Sequence, residues 1–313
     1  VAKKIKSHID QANSFFLGTN DNVLTAPLSL FYAIQNYTKA TFLVNYPNLS
    51  LAGAHGIDFD NDVAGQVNEV GQIKCKITNK GTFGNLVTVT GDDLHASDSF
   101  VMKDIFSIIP ELRETYYLRY FEEPNVFLLR KIKNGRSEYE LILQDEKIRS
   151  IRNRDFQIFK KNGLHLECAG QKCYVWKDIT YSEGKDEQIF YSDIYGNAYC
   201  TDPINVNRRA VKISKIVSLY LCYYTFSMLV RYYPDKWKVF CESSDIAIIR
   251  KLLINCRREM IVEVIQLLSG KKYFFSTILE EMDAGLDERR LFKLIKDEAW
   301  KEYRRTGRNP LLF

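Results

Sequence analysis

The stretch from Ala26 to Phe59 constrains the fold of this chain more than any other, because residues 28–44 within it read as a helix that is apolar almost all the way round. Pro27 suits the first turn of a helix, where its missing N–H and fixed φ carry no penalty. Leu30, Ile34 and Tyr37 then recur at helical spacing. A helix without a polar face avoids water, so the sequence predicts that this one lies buried between other helices.

Two polar residues, Asn36 and Lys39, interrupt this helix on one face. Buried polar groups need partners, so the pair marks either an internal hydrogen-bond network or a site. Tyr32 lies one turn before Asn36, and a loop after the helix carries His55. One interpretation is a small polar site in which Lys39 meets an anion and His55 donates or accepts a proton. The other is that Asn36 and Lys39 bind loop carbonyls and hold the His55 loop against the helix.

Helical patterns stand at both ends of the chain, and strand patterns lie between them. The sequence therefore predicts an α+β fold whose core is formed by the N- and C-terminal helices, with a β-rich central insert. The predicted parts are an N-terminal helical segment (1–62), the insert (63–202) and a C-terminal helical segment (203–313) that packs with the first. The last segment includes a long aromatic helix at 213–232 and two amphipathic pieces at 278–282 and 291–300.

The insert is predicted from alternating apolar and polar residues. Residues 66–89 alternate between glycines, which is typical of strands and turns. Apolar runs at 126–129 and 139–143 flank Asn134 and Gly135, and an Asn–Gly pair in that position predicts a hairpin turn. Further strands are predicted at 156–159, 173–179 and 189–194.

Positive charge is concentrated in the C-terminal part of the chain. All 313 residues together carry a net charge of +5, whereas residues 203–313 contain 21 Lys or Arg against 13 Asp or Glu. Such an excess is compatible with nucleic acid or another acidic partner, although helical domains also carry it on a solvated face. The candidate binding residues of this surface are Arg208, Arg209, Lys212, Lys215, Arg257, Arg258, Arg304 and Arg305.

Arg231 is a further candidate for anion binding. It lies three residues before Pro234, which is predicted to end the preceding helix. From there it could bind a phosphate or a carboxylate, or it could stabilise the helix end itself.

No metal site or cofactor is expected. The seven cysteines form no CxxC pair and have no histidine at metal-ligand spacing nearby. No phosphate-binding glycine loop or nucleophile elbow is found. Reduced thiols favour a cytoplasmic protein, and the apolar stretch 213–230 contains Lys215 and many tyrosines, which favours a buried helix over a membrane span.

Several motifs, in the same order along most of the chain, resemble the YaaC-like family of bacterial proteins. They are Gln11-Ala12-x-x-Phe15-Phe16, Pro27-Leu28-x-x-Phe31-Tyr32-x-x-x-Asn36-x-x-Lys39-Ala40, His55-Gly56, Lys80-Gly81-Thr82-Phe83, Ile108-Ile109-Pro110-Glu111-Leu112 and Ser227-Met228-Leu229-Val230-Arg231-Tyr232-Tyr233-Pro234-x-x-Trp237. This resemblance implies an architecture and no established activity.

A wider resemblance is to the HEPN class of helical domains, which also place a His-Gly loop after two helices. It implies a HEPN-like core. Some HEPN domains are metal-independent ribonucleases, in which an Arg precedes a His by four to six residues. None of the four histidines here (8, 55, 95 and 165) has an Arg at that spacing, so the resemblance does not extend to this motif.

Two hypotheses follow for the function. The first is a non-enzymatic subunit of a bacterial assembly, in a stress or phage-defence setting, that binds a protein partner, another copy of itself or nucleic acid. The second is an unconventional HEPN-like ribonuclease or nucleotide-binding enzyme centred on Lys39 and His55. They differ in whether Lys39 and His55 converge on an open site.

Overall fold

The computed structural model describes residues 1–19, 22–51, 53–60, 65–78, 81–133, 137–142, 164–169, 172–177, 190–192, 198–201 and 203–269. Its α-helices are α1 (Ala2–Leu17), α2 (Ala26–Asn45), α3 (Thr82–Thr90), α4 (Met102–Ser107), α5 (Arg113–Tyr120), α6 (Lys215–Tyr232), α7 (Pro234–Glu242), α8 (Ile246–Arg250) and α9 (Cys256–Ser269). Its strands are β1 (Ile57–Phe59), β2 (Lys74–Ile77), β3 (Ser99–Val101), β4 (Val126–Lys133), β5 (Ser137–Ile142), β6 (Leu164–Ala169), β7 (Lys172–Lys177), β8 (Phe190–Ser192), β9 (Ala198–Thr201), β10 (Ile204–Val206) and β11 (Arg209–Val211). The fold is α+β and mostly helical, as the sequence predicts.

Helix α2 lies at the centre of the helical core and packs against α1, α3, α6 and α9. Most of its residues are buried on every side, including Leu30, Phe31 and Ile34 at 0% exposure. Pro27 is in its first turn. The prediction of a buried helix with an apolar circumference is confirmed.

Helix α6 is the second buried helix of the core. Its residues from Lys215 to Ser227 are all buried, and Tyr220 and Tyr224 contact the ring of Phe31 in α2 edge-on. The burial of two such helices against each other supplies the large apolar area that a chain of this size needs for a single core.

A buried carboxylate joins α8 to the segments before it. Asp245 stands at the start of α8 and is fully buried. It accepts hydrogen bonds from the backbone N–H of Val70 at 2.8 Å and from Nε of Arg119 at 2.7 Å. A π-helical turn, Lys251–Asn255, then connects α8 to α9.

The strands of the described residues form antiparallel sheets. β1, β2 and β3 make a three-stranded sheet, β10 and β11 a hairpin, and six further strands a sheet in the order β6-β7-β5-β4-β9-β8. The predicted strands at 126–129 and 139–143 correspond to β4 and β5, which pair as neighbours. Their predicted turn, Asn134 and Gly135, and the predicted strand at 156–159 lie outside the described residues.

One predicted strand region is wrong. The end of the alternating stretch 66–89 forms helix α3, which begins after Gly81 and ends at Gly91 in the left-handed conformation (φ 70°). Phe83 and Leu86 are buried in the core, and α3 packs on α2. Tertiary packing therefore overrides the β propensity of the Val-Thr-Val-Thr residues in this stretch.

The division at residues 62 and 202 stays a prediction. In the structure β1, from the first predicted segment, pairs with β2 from the predicted insert. The amphipathic pieces at 278–282 and 291–300 and the pair Arg304–Arg305 lie outside the described residues.

Candidate functional site

The polar face of α2 carries Tyr32, Asn36 and Lys39 at one-turn spacing. The Asn36 side chain is buried, and its amide donates to the carbonyl oxygen of Tyr32 at 2.9 Å. Its Oδ1 accepts a hydrogen bond from Nδ1 of His8 in α1 at 3.0 Å. Asn36 therefore holds a half-buried imidazole beside Lys39, a role that the sequence does not predict for His8.

His55 reaches the same region from the loop before β1. The amide nitrogen of Gln35 donates to Nδ1 of His55 at 2.8 Å, so the neutral imidazole carries its proton on Nε2. The ring lies against the aromatic side chains of Phe31, at 5.3 Å between centroids, and Tyr224, at 6.0 Å. These contacts fix the orientation of His55.

The loop of His55 is fixed by the start of α3. The N–H groups of Thr82 and Phe83 donate to the carbonyls of Ala54 at 2.8 Å and His55 at 2.9 Å. Gly81, with φ +151°, lies so close to Gly56 that a Cβ on it would come within 2.1 Å of the Gly56 nitrogen. Two motifs far apart in sequence, His-Gly and Gly-Thr-Phe, thus form one backbone contact that positions His55.

Arg231, in the last turn of α6, completes the group. Its guanidinium donates to the hydroxyl of Tyr32 and lies 5.0 Å from the centre of the Tyr32 ring. The Tyr32 ring also stacks on Phe15 of α1, at 5.1 Å and with 28° between the ring planes. Phe15 is 37% exposed, so this aromatic pair extends from the polar group to the surface.

His8, Lys39, His55 and Arg231, here called the cationic cluster, are all half-buried. Burial lowers the pKa of Lys39. Burial and the charges of Arg231 and Lys39 lower the pKa of His55. Burial also lowers the pKa of His8, where the charges of Lys39 and Lys4 act in the same sense and the hydrogen bond to Asn36 opposes them.

Within the part of the chain that the structure describes, no carboxylate forms an ion pair with a member of the cationic cluster. Clustered cations without a compensating carboxylate raise the positive potential and attract anions. The arrangement is therefore chemically suited to binding a negatively charged group.

The structure brings together five of the predicted site residues, Tyr32, Asn36, Lys39, His55 and Arg231. Sequence reasoning missed His8 and Gln35. His8 follows Ile5 by three residues and precedes Ala12 by four, beside the apolar stripe of α1, and this position was the available signal. Gln35 is a third polar residue in the apolar helix.

The arginine pairs of the predicted basic surface lie elsewhere. Arg208 is exposed in the turn between β10 and β11, whereas Arg209 pairs with Asp93 at 2.8 Å and Asp98 at 2.7 Å. Arg257 and Arg258 are in the first turn of α9, with Arg258 exposed. Arg209 thus has a structural role at the hairpin, and binding by the pairs stays a prediction.

Lys215 does not belong to an exposed basic surface, which corrects its assignment there. It is 1% exposed and contacts three carboxylates, those of Glu259 at 2.6 Å, Glu111 at 3.2 Å and Glu263 at 3.4 Å. The three carboxylates hold the pKa of Lys215 well above its usual value, against the effect of burial. Burial, together with Glu111 and against the attraction of Lys215, raises the pKa of Glu259 to about 9.

Among the residues that the structure describes, no group of three or more His, Cys, Asp or Glu side chains is arranged to hold a metal ion. None of the helices in this part combines the length and apolar character needed to cross a bilayer. Cys75, Cys222, Cys241 and Cys256 are free thiols.

The geometry defines a mostly helical α+β protein with a half-buried cationic cluster against its central helix. A family model described as YaaC-like protein matches residues 2–268, and the chain belongs to this family. The match includes all the described members of the cationic cluster. No curated protein and no solved structure matches the chain.

Proposed function

We propose that this YaaC-like protein is a non-enzymatic binding subunit that engages nucleic acid through the cationic cluster. The observation that carries the proposal is the meeting of His8, Lys39, His55 and Arg231 from α1, α2, the His55 loop and α6, without an ion-paired carboxylate among the described residues. Phosphate groups are the anions that such clusters of Lys and Arg bind in nucleic acids.

The cost of this arrangement supports a binding role over a purely structural one. Half-burial lowers the pKa of Lys39 and so disfavours its charged form in the folded protein, and perturbed basic groups of this kind concentrate at functional sites. A chain that needed only to hold the loop of His55 would achieve this with Gln35 and the Gly56–Gly81 contact alone.

Nucleic acid is favoured over a protein partner because an aromatic pair borders the cluster. The stacked rings of Phe15 and Tyr32 lie next to the guanidinium of Arg231. Nucleic-acid-binding surfaces combine positive charge for the phosphates with aromatic rings for the bases. The HEPN-like description of the core, the stress or defence setting and membership of an assembly remain proposals of the same kind.

The second candidate function is a metal-independent ribonuclease or nucleotide-binding enzyme at the same residues. It is favoured by the lowered pKa of His55, because an imidazole that is neutral at pH 7 beside two cations can act as a general base. Lys39 and Arg231 would then stabilise charge on the phosphate in the transition state.

The test measures binding and cleavage of fluorescently labelled single-stranded RNA and DNA by the purified chain. Lys39→Met and Arg231→Met remove charges of the cluster, and Lys238→Met removes an exposed charge from α7 as a matched control. We expect salt-sensitive binding that both cluster variants weaken by about tenfold or more and that Lys238→Met leaves unchanged.

Other outcomes contradict the proposal in distinct ways. RNA cleavage that Lys39→Met abolishes would establish the enzymatic alternative. Binding that is lost in Arg257→Ala/Arg258→Ala but kept in Lys39→Met would move the nucleic-acid surface to α9. Absence of binding to either nucleic acid would overturn the proposal and leave a protein partner.

A further inference from the structure

We propose that the cationic cluster takes a terminal phosphate monoester of a nucleotide unit, with the adjoining base placed on the Phe15–Tyr32 pair. This inference rests on the proposed function and adds the chemical class of the group that is bound. The nucleotide unit is either the end of a nucleic-acid strand or a free nucleoside monophosphate, and the experiment separates these two sources.

The charge of the site matches a phosphate monoester. Lys39 and Arg231 are two cations that come from α2 and α6 and lie beside the same imidazole, that of His55. A phosphate monoester carries a charge of about −1.5 to −2 at pH 7, whereas an internal phosphodiester carries one negative charge. The two positive charges of this half-buried site balance the charge of a monoester, whereas they exceed the single negative charge of a diester.

The two imidazoles of the cluster can supply hydrogen-bond donors to a phosphate. Nδ1 of His8 donates to Asn36, and Nδ1 of His55 accepts from Gln35, so neither contact uses the Nε2 atoms. Nε2 of His55 already carries an N–H in the tautomer that Gln35 fixes, whereas Nε2 of His8 carries one only when that ring is protonated. A bound dianion would supply the attraction that favours protonation of His8.

Burial and the neighbouring cations both lower the pKa of each imidazole in the free protein. The cations are Lys39 and Lys4 near His8, and Arg231 and Lys39 near His55, and only the hydrogen bond of His8 to Asn36 favours protonation. An anion placed among these cations reverses the balance. Binding of a phosphate monoester is therefore expected to take up protons, whereas a structural role of the histidines would produce no such uptake.

The aromatic pair of Phe15 and Tyr32 offers a stacking surface next to the cluster. One side of the Tyr32 ring stacks on Phe15, and the Arg231 guanidinium lies over the ring at 5.0 Å. Phe15 remains 37% exposed at the edge of this stack. A planar ring that continues the stack on Phe15 would lie close to the cluster, and nucleobases stack on aromatic side chains in this way irrespective of sequence.

Several elements of the fold contribute to the cluster. Its residues come from α1, α2, the loop before β1 and α6, and each of their side chains is half-buried. A strand end can enter such a place with one oxygen ester, whereas an internal phosphate has to keep chain on both sides. This geometry favours a terminal group.

The test is titration calorimetry of the whole chain with four ligands. They are an eight-nucleotide single-stranded RNA with a 5′-phosphate, the same RNA with a 3′-phosphate, the same RNA with hydroxyl groups at both ends, and adenosine monophosphate. We expect one of the phosphorylated RNAs to bind at least about tenfold more tightly than the hydroxyl-ended RNA, a difference of about 1.4 kcal/mol.

Variants assign this preference to the proposed residues. Lys39→Met should abolish the difference between phosphorylated and hydroxyl-ended RNA, and Lys238→Met should preserve it. Phe15→Ala should weaken the binding of the phosphorylated RNA and of adenosine monophosphate. Inorganic phosphate, titrated in addition as a ligand without a base, should bind this variant and the wild type equally. In buffers of different ionisation enthalpy, the wild type should take up protons on binding, and His8→Gln/His55→Gln should not.

The outcomes distinguish the binding of a terminal phosphate from the binding of nucleic acid in general. Adenosine monophosphate binding as tightly as the phosphorylated RNA identifies a free nucleotide as the ligand, and weaker binding identifies a strand end. Equal affinity for phosphorylated and hydroxyl-ended RNA overturns the inference while the proposed nucleic-acid binding stands. Binding to none of the RNAs overturns the proposed nucleic-acid binding, and it overturns the inference as well if adenosine monophosphate also fails to bind. A preference that survives Lys39→Met overturns the placement in the cluster.

Discussion

The side-chain amide of Gln35 donates to Nδ1 of His55 at 2.8 Å, and this contact decides which nitrogen of the imidazole holds the proton. It connects the buried helix α2 to a loop 20 residues further along the chain. A protonated His55 would place an N–H at Nδ1, opposite an amide that also donates, so the hydrogen bond favours the neutral ring.

Replacement of Gln35 tests this connection. Gln35→Met keeps the volume of the side chain and removes the donor, so we expect a loss of about 1–2 kcal/mol in the free energy of unfolding and a rise in the pKa of His55. Chemical denaturation and NMR titration of the imidazole measure these quantities. Gln11→Met, at an exposed site of α1, is the control; an unchanged His55 titration in Gln35→Met would show that the contact does not fix the tautomer.

Two glycines of the same segment are expected to respond in opposite ways to alanine. Gly81→Ala places a Cβ at 2.1 Å from the Gly56 nitrogen at φ +151°, and should destabilise the fold by about 3 kcal/mol or more. Gly84→Ala, in the exposed part of α3 with no atom within 4 Å of the new Cβ, should stabilise it by about 0.5–1 kcal/mol. Thermal unfolding compares the two, and equal effects would contradict the close backbone contact.

Removal of Lys39 should make the free protein more stable. Lys39→Met removes a half-buried charge and, below about pH 6.5, its repulsion of the protonated imidazoles of His8 and His55. After solvent screening we expect a gain of less than about 0.5 kcal/mol in stability. The pKa of both imidazoles should rise toward 6.5. Unfolding and NMR titration test this against Lys238→Met, and a loss of stability would show that Lys39 has a structural role.

The buried carboxyl of Glu259 should make stability depend on pH. Its pKa is about 9 in the folded protein and ordinary in the unfolded chain, so from about pH 5 to 9 the folded state holds a proton that the unfolded state has lost. Stability therefore falls as pH rises through this window, by at most about 1.4 kcal/mol per unit. The histidines, whose lowered pKa values act below pH 6.5, oppose this trend only in more acidic solution.

The measurement is the free energy of unfolding between pH 7 and 8.5. Lys215 stays charged in both states there, so it adds no slope. Glu259→Gln keeps an oxygen that can accept from Lys215 and should flatten the dependence, whereas Glu114→Gln, exposed on α5, should preserve it. A slope that survives Glu259→Gln would assign the proton to another group.

Arg209 and Arg208 are expected to differ in how much they contribute to the stability of the fold. Arg209→Ala removes ion pairs to Asp93 and Asp98, of which Asp98 is buried, and should cost about 1–3 kcal/mol of stability. Arg208→Ala removes an exposed side chain and should change stability by less than about 0.5 kcal/mol. Urea denaturation distinguishes them, and equal losses would contradict the different surroundings of the two residues.

The parts of the fold that were predictable from sequence are those that local pattern determines. Helices α2 and α6 are apolar round most of their circumference, and this pattern predicts a buried helix. The sequence predicts a strand where α3 forms, because Val87 and Val89 alternate with threonine. The helix is stabilised by burial against α2 through Phe83, which is a long-range effect. No short window of sequence contains that contact.

The candidate site divides in the same way. Asn36 and Lys39 stand out as polar residues in an apolar helix, and His55 stands out beside a glycine. His8 is separated by 28 residues from its partner Asn36, and Lys215 joins carboxylates more than 40 residues away in either direction. Such pairings follow from the packing of helices, and an Arg-Arg or Lys-rich pattern does not reveal which charges become buried.

The π-helical turn at Lys251–Asn255 means that this region contains one residue more than an uninterrupted α-helix of the same length would need. Deletion of a single residue there would leave an acceptable helix and yet turn everything before it by about 100° relative to α9. Asp245 would then face away from Arg119 and the N–H of Val70. Among relatives of this chain, gaps within the turn should accordingly be rare, because the number of its residues sets the direction in which Asp245 faces.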